Sequence, residues 1–408
     1  MNVNLRGPAI IDRVICLFFW LCLSVSFTTL ASDEPVWVIG LDADLSSASA
    51  AAGEAIRQGA LIALHEINQK GGVKGRKIVL DARDHRGNPA RAIENVLSLA
   101  ENPDLLAIIG GLHTPVALEV LPLVHQHHIP FLIPWAAGTA IIQNGYDPNY
   151  VFRVSLKDED VGPFLVESAV AEGHTYLGLL LENTSWGRSN YQAMTEAARK
   201  QGIPPPAVEW FNWGVTSFDM PLKTFGEKKV EAILLVANSS EGAILINEMA
   251  NLPAEQRIPL FSHWGITGGD FYQQVATELK LVDLRFVQTF TVCASEFPQR
   301  TEHLVSLYRT LFDAFSLPAR EIPAAPGLAH TYDLVHLFAL AVDQAKTAKR
   351  EEIRQAMESL PAFSGVMTEY QPAFSADRHD ALSKKQLRLA RYDASGAVVP
   401  LVGEACSP

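Results

Sequence analysis

A chain of 408 residues, 48% apolar and 19% charged, has material for two globular domains, and nothing in that balance signals disorder. The formal net charge of −12 sets 33 Lys and Arg against 45 Asp and Glu, with no local basic cluster. That excludes a nucleic-acid partner, whose phosphates need a basic face.

Residues 1–31 read as a secretory signal peptide. Arg6 and Arg13 form a basic start, Val14–Leu23 is a compact apolar run, and Thr29-Leu30-Ala31 offers a cleavage site before Ser32. The run is shorter than the roughly 20 residues a spanning helix needs. No later stretch would span a bilayer, so the mature chain is expected to be exported and not membrane-spanning. Cys16 and Cys22 depart with the signal. Cys293 and Cys406 remain in an oxidising compartment, where a disulfide and two free thiols are equally open readings.

Along the mature chain, Val36–Leu41 is a buried strand, followed by a loop of small and polar residues. A helix over Glu54–Lys70 carries Ile56, Ala60, Ala63, Leu64 and Ile67 on one face and stops at Gly71-Gly72. Lys77–Asp81 is a second strand with Asp84 beyond it, and Asn88-Pro89 opens a helix that runs to Leu99. Leu105–Ile109 and Ile129–Ile133 are further buried strands joined by a helix-like segment. The order β-α-β-α-β-α-β is that of a parallel sheet wound with helices.

After Tyr150–Val154 the alternation restarts. Helices are predicted over Asp160–Glu172, Ser189–Gln201, Met220–Phe225 and Glu241–Leu252, and strands over Tyr176–Leu181, Val208–Trp210, Ala232–Val236 and Pro259–Ser262. A strand at Arg285–Val292 leads to helices at Glu302–Phe315, Gly327–Ala345 and Arg350–Met357, and then to a tail of short extended pieces over Gly365–Arg391. The fold class expected is α/β, two lobes joined by strand-like crossovers that suit a hinge.

Ligands of open α/β sheets sit beyond the carboxyl ends of the strands. Candidate binding residues are therefore Leu112, His113 and Thr114 after one strand, and Trp135, Ala136 and Ala137 after the next. Trp186, Asn238, Glu241, Trp264 and Gly265 occupy the equivalent places in the second lobe, and His330 falls near the same cleft. Thr114 followed by Pro115 fits an N-cap and first helical residue, which would aim amides and a hydroxyl at an anion. His113 and His330 either donate to a ligand carboxylate or are neutral loop histidines. Trp135 and Trp264 either form a stacking wall or pack inside a lobe. His125, His127 and His128 read as the exposed end of a helix, since a zinc site wants three or four ligands. No catalytic, nucleotide-binding or metal motif is present, so neither an enzyme nor a cofactor is expected.

Several stretches resemble the type I periplasmic binding proteins, nearest to the branched-chain amino-acid branch of ABC importers. The resemblance rests on Gly53 and Gly59, Ile67-Asn68, Gly71-Gly72, Gly75-Arg76, Asp84 and Pro89. The segments from Ala107, Tyr150, Glu182 and Phe261, and Tyr332-Asp333, extend it over nearly the whole mature chain. It implies a two-lobed periplasmic receptor with three hinge crossovers. The N-terminal lobe would be 32–156 and 293–385, and the C-terminal lobe 157–292 and 386–408.

The resemblance further implies a monomer that closes on a small amino acid or other carboxylate and delivers it to permease and ATPase subunits. An alternative is a ligand-sensing subunit for a separate membrane sensor. By the same resemblance Thr114 takes the hydroxyl position for an α-carboxylate, and Trp186 the aromatic cover. Ala137 and Trp264 stand where a second hydroxyl and the acid for the ammonium are usual. An ammonium buried without a counter-charge costs several kcal/mol. An amino acid would therefore need another acid, with Glu241 the first substitute and Asp158 a weaker one. Otherwise the ligand is a carboxylate or neutral molecule with an apolar or aromatic body.

Overall fold

A computed structural model describes residues 34–401. The expected signal peptide and Cys406 lie outside the described residues; Cys293 is disulfide-bonded. The chain from Pro35 onward forms one compact unit.

The first lobe alternates β1 (Trp37–Ala43), α1 (Ala50–Gln69), β2 (Ile78–Asp84), α2 (Pro89–Ala100), β3 (Leu105–Gly110), α3 (Thr114–Gln126), β4 (Phe131–Ile133), a short α4 (Thr139–Ile142) and β5 (Val151–Arg153). Its five strands are parallel, in the order β2-β1-β3-β4-β5. The near-continuous apolar runs of β3 and β4 follow from burial on both faces. α2 begins as its sequence dictates. Asn88 accepts from the amides of Ala90 and Arg91, and Pro89 occupies the first turn, where its missing N–H costs nothing. α1 starts at Ala50, earlier than predicted, because Ala50, Ala51 and Ala52 are strong helix formers rather than loop residues.

The second lobe runs α5 (Asp158–Ala171), β6 (Leu177–Glu182), α6 (Ser185–Gln201), β7 (Ala207–Phe211), α7 (Asp219–Lys228), β8 (Ala232–Val236), α8 (Ser239–Asn251), β9 (Leu260–Ser262), α9 (Phe271–Val275) and β10 (Leu284–Gln288). The chain then returns to the first lobe with α10 (Pro298–Leu311), α11 (Ala325–Gln344), α12 (Arg350–Met357) and a small hairpin, β11 (Phe363–Ser364) with β12 (Glu369–Tyr370). It finishes in the second sheet as β13 (Arg388–Tyr392) and β14 (Val398–Pro400). That sheet has the order β14-β13-β10-β9-β8-β6-β7, parallel except at β13 and β14. α11 packs so closely on α1 that a Cβ on Gly59 would lie 2.4 Å from the Leu328 carbonyl oxygen.

The chain thus crosses between the sheets three times: after Arg153, after Gln288 and before Arg388. The first and last crossings are tied together. Arg153, fully buried, donates from Nε to Asp380 Oδ1 at 2.6 Å, and its backbone bridges to Asp380. One buried apolar cluster runs from Ile39 and Leu41 of the first sheet through Trp135 and Trp264 to Leu179 and Leu234 of the second.

Two local expectations change. α6 starts at Ser185 rather than Ser189, because the Thr184 hydroxyl caps it by accepting from the Trp186 amide at 3.2 Å. His125 is not exposed. It is 7% accessible, bonds the Leu121 carbonyl through Nδ1 at 2.7 Å and stacks on Tyr146. His128 is the exposed one and bonds Glu351. No group of His, Cys, Asp and Glu among the described residues could hold a metal ion.

Candidate functional site

The carboxyl ends of the strands of both sheets face one cleft, lined by Leu112, His113, Thr114, Pro115, Trp135 and Ala137 from the first lobe. Glu182, Trp186, Asn238, Trp264 and Gly265 line it from the second. In the first lobe α3 opens with His113 as N-cap and Thr114 as first helical residue, one position earlier than predicted. Thr114 Oγ1 accepts from the Gly138 amide at 3.1 Å, which leaves its O–H to donate into the cleft. The His113 side chain does not cap the helix. Its Nε2 lies 3.6 Å from Asp44 Oδ2. Burial pushes the Asp44 carboxyl up, but hydrogen bonds from His113, Ser47 and the Ser49 amide outweigh it and hold the group well below the usual carboxylate range.

The segment 134–138 is a wall whose every carbonyl is engaged. His330 takes Pro134 O at 2.8 Å, Ser155 takes Trp135 O at 2.8 Å, and the Asp158 amide takes Ala137 O at 3.0 Å. Arg153 takes both Ala136 O and Gly138 O, at 3.2 and 2.9 Å. Irregular backbone buried beside a cleft has to satisfy its polar groups in this way. It also explains His330. Nδ1 donates to Pro134 O, and Nε2 faces the Thr289 hydroxyl at 2.9 Å. Burial, against that backbone hydrogen bond, pulls its pKa down to about 4. With both nitrogens committed and no accessible surface, His330 positions the wall and does not line the cleft.

In the second lobe β6 ends in Glu182, the first charged residue after an apolar run. It has no accessible surface. Its Oε1 accepts from the Thr184 hydroxyl, and its Oε2 accepts from Trp213 Nε1 at 2.9 Å and Asn238 Nδ2 at 3.0 Å. Burial, with Glu241 and Asp158 nearby, pushes the Glu182 carboxyl up to about 7 despite the bonds from Thr184 and Trp213. Trp186 is held edgewise, donating from Nε1 to Asp158 Oδ1 at 3.2 Å. His263 Nε2 donates to the same oxygen at 3.1 Å, since its Nδ1 accepts from the Trp264 amide. Gly265 is required here: a Cβ would lie 2.5 Å from both the Ala237 carbonyl oxygen and the Trp186 ring.

The lobes meet across the cleft. Trp135 and Trp264 pack at 5.0 Å between ring centroids, and His113 lies 5.4 Å from the Trp213 ring. Ser239 Oγ donates to Ala48 O at 3.1 Å, and the Thr139 amide donates to Ser189 Oγ at 3.3 Å. The enclosed space is about 10 Å³, room for about one water. A ligand therefore enters only if the lobes part.

Of the candidates from sequence, Leu112, His113, Thr114, Trp135, Ala137, Trp186, Asn238, Trp264 and Gly265 are brought together. Trp135 and Trp264 both line the cleft and pack in the core cluster, each 1% exposed. Ala136, Glu241 and His330 do not line the cleft. Ala136 faces the helix side of the first sheet. Glu241, in the first turn of α8, accepts from the Gly214 amide at 3.3 Å and from Ser240 Oγ at 3.1 Å, so it serves the neighbouring loop. Asp158 lies behind Trp186. Sequence reasoning missed Glu182 and Trp213. A lone acid closing an apolar parallel strand was a usable signal for the first; nothing marked the second, which comes from the loop after β7.

The periplasmic binding protein family model matches residues 37–397. The chain is 22% identical over 333 residues to the Leu/Ile/Val-binding protein BraC3 of Rhizobium johnstonii, an alignment that covers 81% of this chain and 85% of the relative. Among solved structures it is similar to a type 1 periplasmic binding protein from Bordetella pertussis Tohama I. The TM-score there is 0.79 at 21% identity, covering 90% of this chain and 100% of that one. It is also similar to an ABC-transporter solute-binding protein from R. palustris in complex with benzoate, at a TM-score of 0.73 and 19% identity, covering 90% and 96% of the two chains. The chain belongs to the periplasmic binding protein family and has the fold of its type I members.

Proposed function

We propose that this chain is the extracytoplasmic binding component of an ABC-type importer, capturing a small amino-acid-like or other carboxylate-bearing molecule between its lobes. The observation that carries the reading is the facing of Thr114 and the open amides of α3 across one closed cleft from a wall of tryptophans. Helix-start amides and a free hydroxyl suit a carboxylate, and Trp186 and Trp264 suit an apolar or aromatic body. A relative named as a Leu/Ile/Val-binding protein and the complex of the R. palustris solute-binding protein with benzoate support the same ligand range.

The mechanism is closure about the three crossovers. A ligand that touches both lobes stabilises the closed state, and only that differential affinity shifts the equilibrium. The closed monomer would then be read by permease subunits driven by an ATPase. The test is calorimetry of the purified protein against leucine, isoleucine, phenylalanine and benzoate, with small-angle scattering on the same samples. One-to-one binding of at least one of them, with a fall in radius of gyration, is expected. No heat and no contraction with any of the four would overturn the reading.

A further inference from the structure

The second-lobe side of the cleft is rich in acceptors. Glu182 brings a carboxylate with no accessible surface, and Asn238 spends its amide on that carboxylate, so its Oδ1 is left buried and without a partner. None of the described residues lining the cleft is Lys or Arg. Asp158 and Glu241 lie close enough to Glu182 to add to the negative field. His263 and Trp186 answer only Asp158, and His113 answers Asp44. Three neutral donors hold the Glu182 carboxylate but none brings a counter-charge, and the Asn238 oxygen beside it has no donor at all; both are costly when buried.

We propose that Glu182 and Asn238 form an ammonium subsite, which selects ligands carrying a protonated amine with N–H groups to donate. This rests on the capture reading above and narrows it. The amine's charge answers Glu182 and its N–H answers Asn238 Oδ1, while Trp186 and Trp264 offer aromatic surface to the adjoining carbons. A quaternary ammonium has no N–H for Asn238. A plain carboxylate supplies neither charge nor donor. The position usual for an acid in relatives holds Trp264, and Glu182, reaching in from a different strand, supplies the charge in its place. Trp213 is a positioning residue, since its indole N–H fixes the Oε2 atom that Asn238 also holds.

Matched probes test this by calorimetry of the purified protein: leucine, 4-methylpentanoate and isopentylamine, and phenylalanine, 3-phenylpropanoate and 2-phenylethylamine. At least one amino acid is expected to bind about 30-fold or more tighter than its deamino analogue. Glu182→Gln should collapse that preference without lowering the ligand-free melting temperature, because the Gln carbonyl can face Trp213 and Asn238 while its NH₂ faces Thr184. Asn238→Ala should reduce the preference about tenfold.

Binding of an amine without its carboxylate would sustain the ammonium subsite and sink the carboxylate anchor at Thr114. The ammonium subsite itself is overturned if a deamino analogue binds as well as its amino acid. Retention of the preference in Glu182→Gln, or silence from all six probes, would overturn it equally.

Discussion

Replacing Thr114 by Val isolates one hydroxyl, because valine keeps the branched shape and exchanges only Oγ1 for a methyl. That oxygen accepts from the Gly138 amide at 3.1 Å in a site where Thr114 is 3% exposed, so water cannot take its place. Leaving a buried amide unpaired costs about 1–3 kcal/mol. Spread over the unfolding entropy of the whole unit that begins at Pro35, at about 2.1 cal/mol/K per residue, this lowers Tm by roughly 1–4 °C. The larger effect is on ligand. The O–H is the donor Thr114 has left for a carboxylate, and such a charge-assisted bond contributes about 1.5–3 kcal/mol, or roughly 10- to 150-fold in Kd. Thr114→Ser keeps both bonds and deletes only Cγ2, so it should cost about 1 kcal/mol of stability and less than about threefold in affinity. Scanning calorimetry reads the first quantity, and titration with the tightest carboxylate ligand reads the second. Equal losses in the Ser and Val variants, or wild-type affinity in Thr114→Val, would refute the role given to the hydroxyl.

Two further outcomes follow from the geometry. Gly265→Ala places a Cβ against the Ala237 carbonyl and the Trp186 ring. It should destabilise by about 1–3 kcal/mol in urea titrations and weaken ligand binding, since the added methyl displaces a ring that lines the cleft; unchanged affinity would show that Trp186 is no part of the site. On the far side of the first lobe, Glu66 of α1 bonds His303 at 2.7 Å, His336 at 3.2 Å and Tyr332 at 2.5 Å. Burial pushes the Glu66 carboxyl up, but hydrogen bonds from His336, Tyr332 and His303 outweigh it and bring the group down to about 2. A depressed acid stabilises the fold fully above its unfolded pKa of about 4.5, and that contribution is lost as pH falls toward 2. After solvent screening it amounts to on the order of 1–2 kcal/mol. Urea titrations at pH 6 and pH 3 should therefore show Glu66→Gln less stable than wild type at the first, with the gap cut by roughly half at the second. A gap that stays constant would remove the ionised carboxylate as the cause.

The parts of this molecule legible in the sequence are those set by periodicity and punctuation. β3, β4 and β8 are apolar runs buried on both faces, and Asn88-Pro89 is a helix start in any context, so the alternation of strands and helices in the first lobe followed from local pattern alone. The same logic placed nine candidate residues around one cleft, because parallel strands deliver their carboxyl ends to one edge whatever their sequence. Local pattern could not tell which polar side chain turns inward. Glu241 and Glu182 both follow apolar strands, but Glu241 sits in the first turn of α8 and is drawn to the amide of Gly214, a loop residue distant in sequence. Glu182 is the last residue of its strand, at the carboxyl end that opens on the cleft. His330 looked like a ligand donor for the same reason. A cleft wall of irregular backbone needs partners for its carbonyls, and that need, invisible until the fold brings Pro134 to α11, absorbs the imidazole. An acid at the end of a buried parallel strand thus has a stronger claim on the cleft than one a turn later, where helix and loop amides compete for it. Applied to this chain, that argument moves the search for the ammonium partner from Glu241 to Glu182.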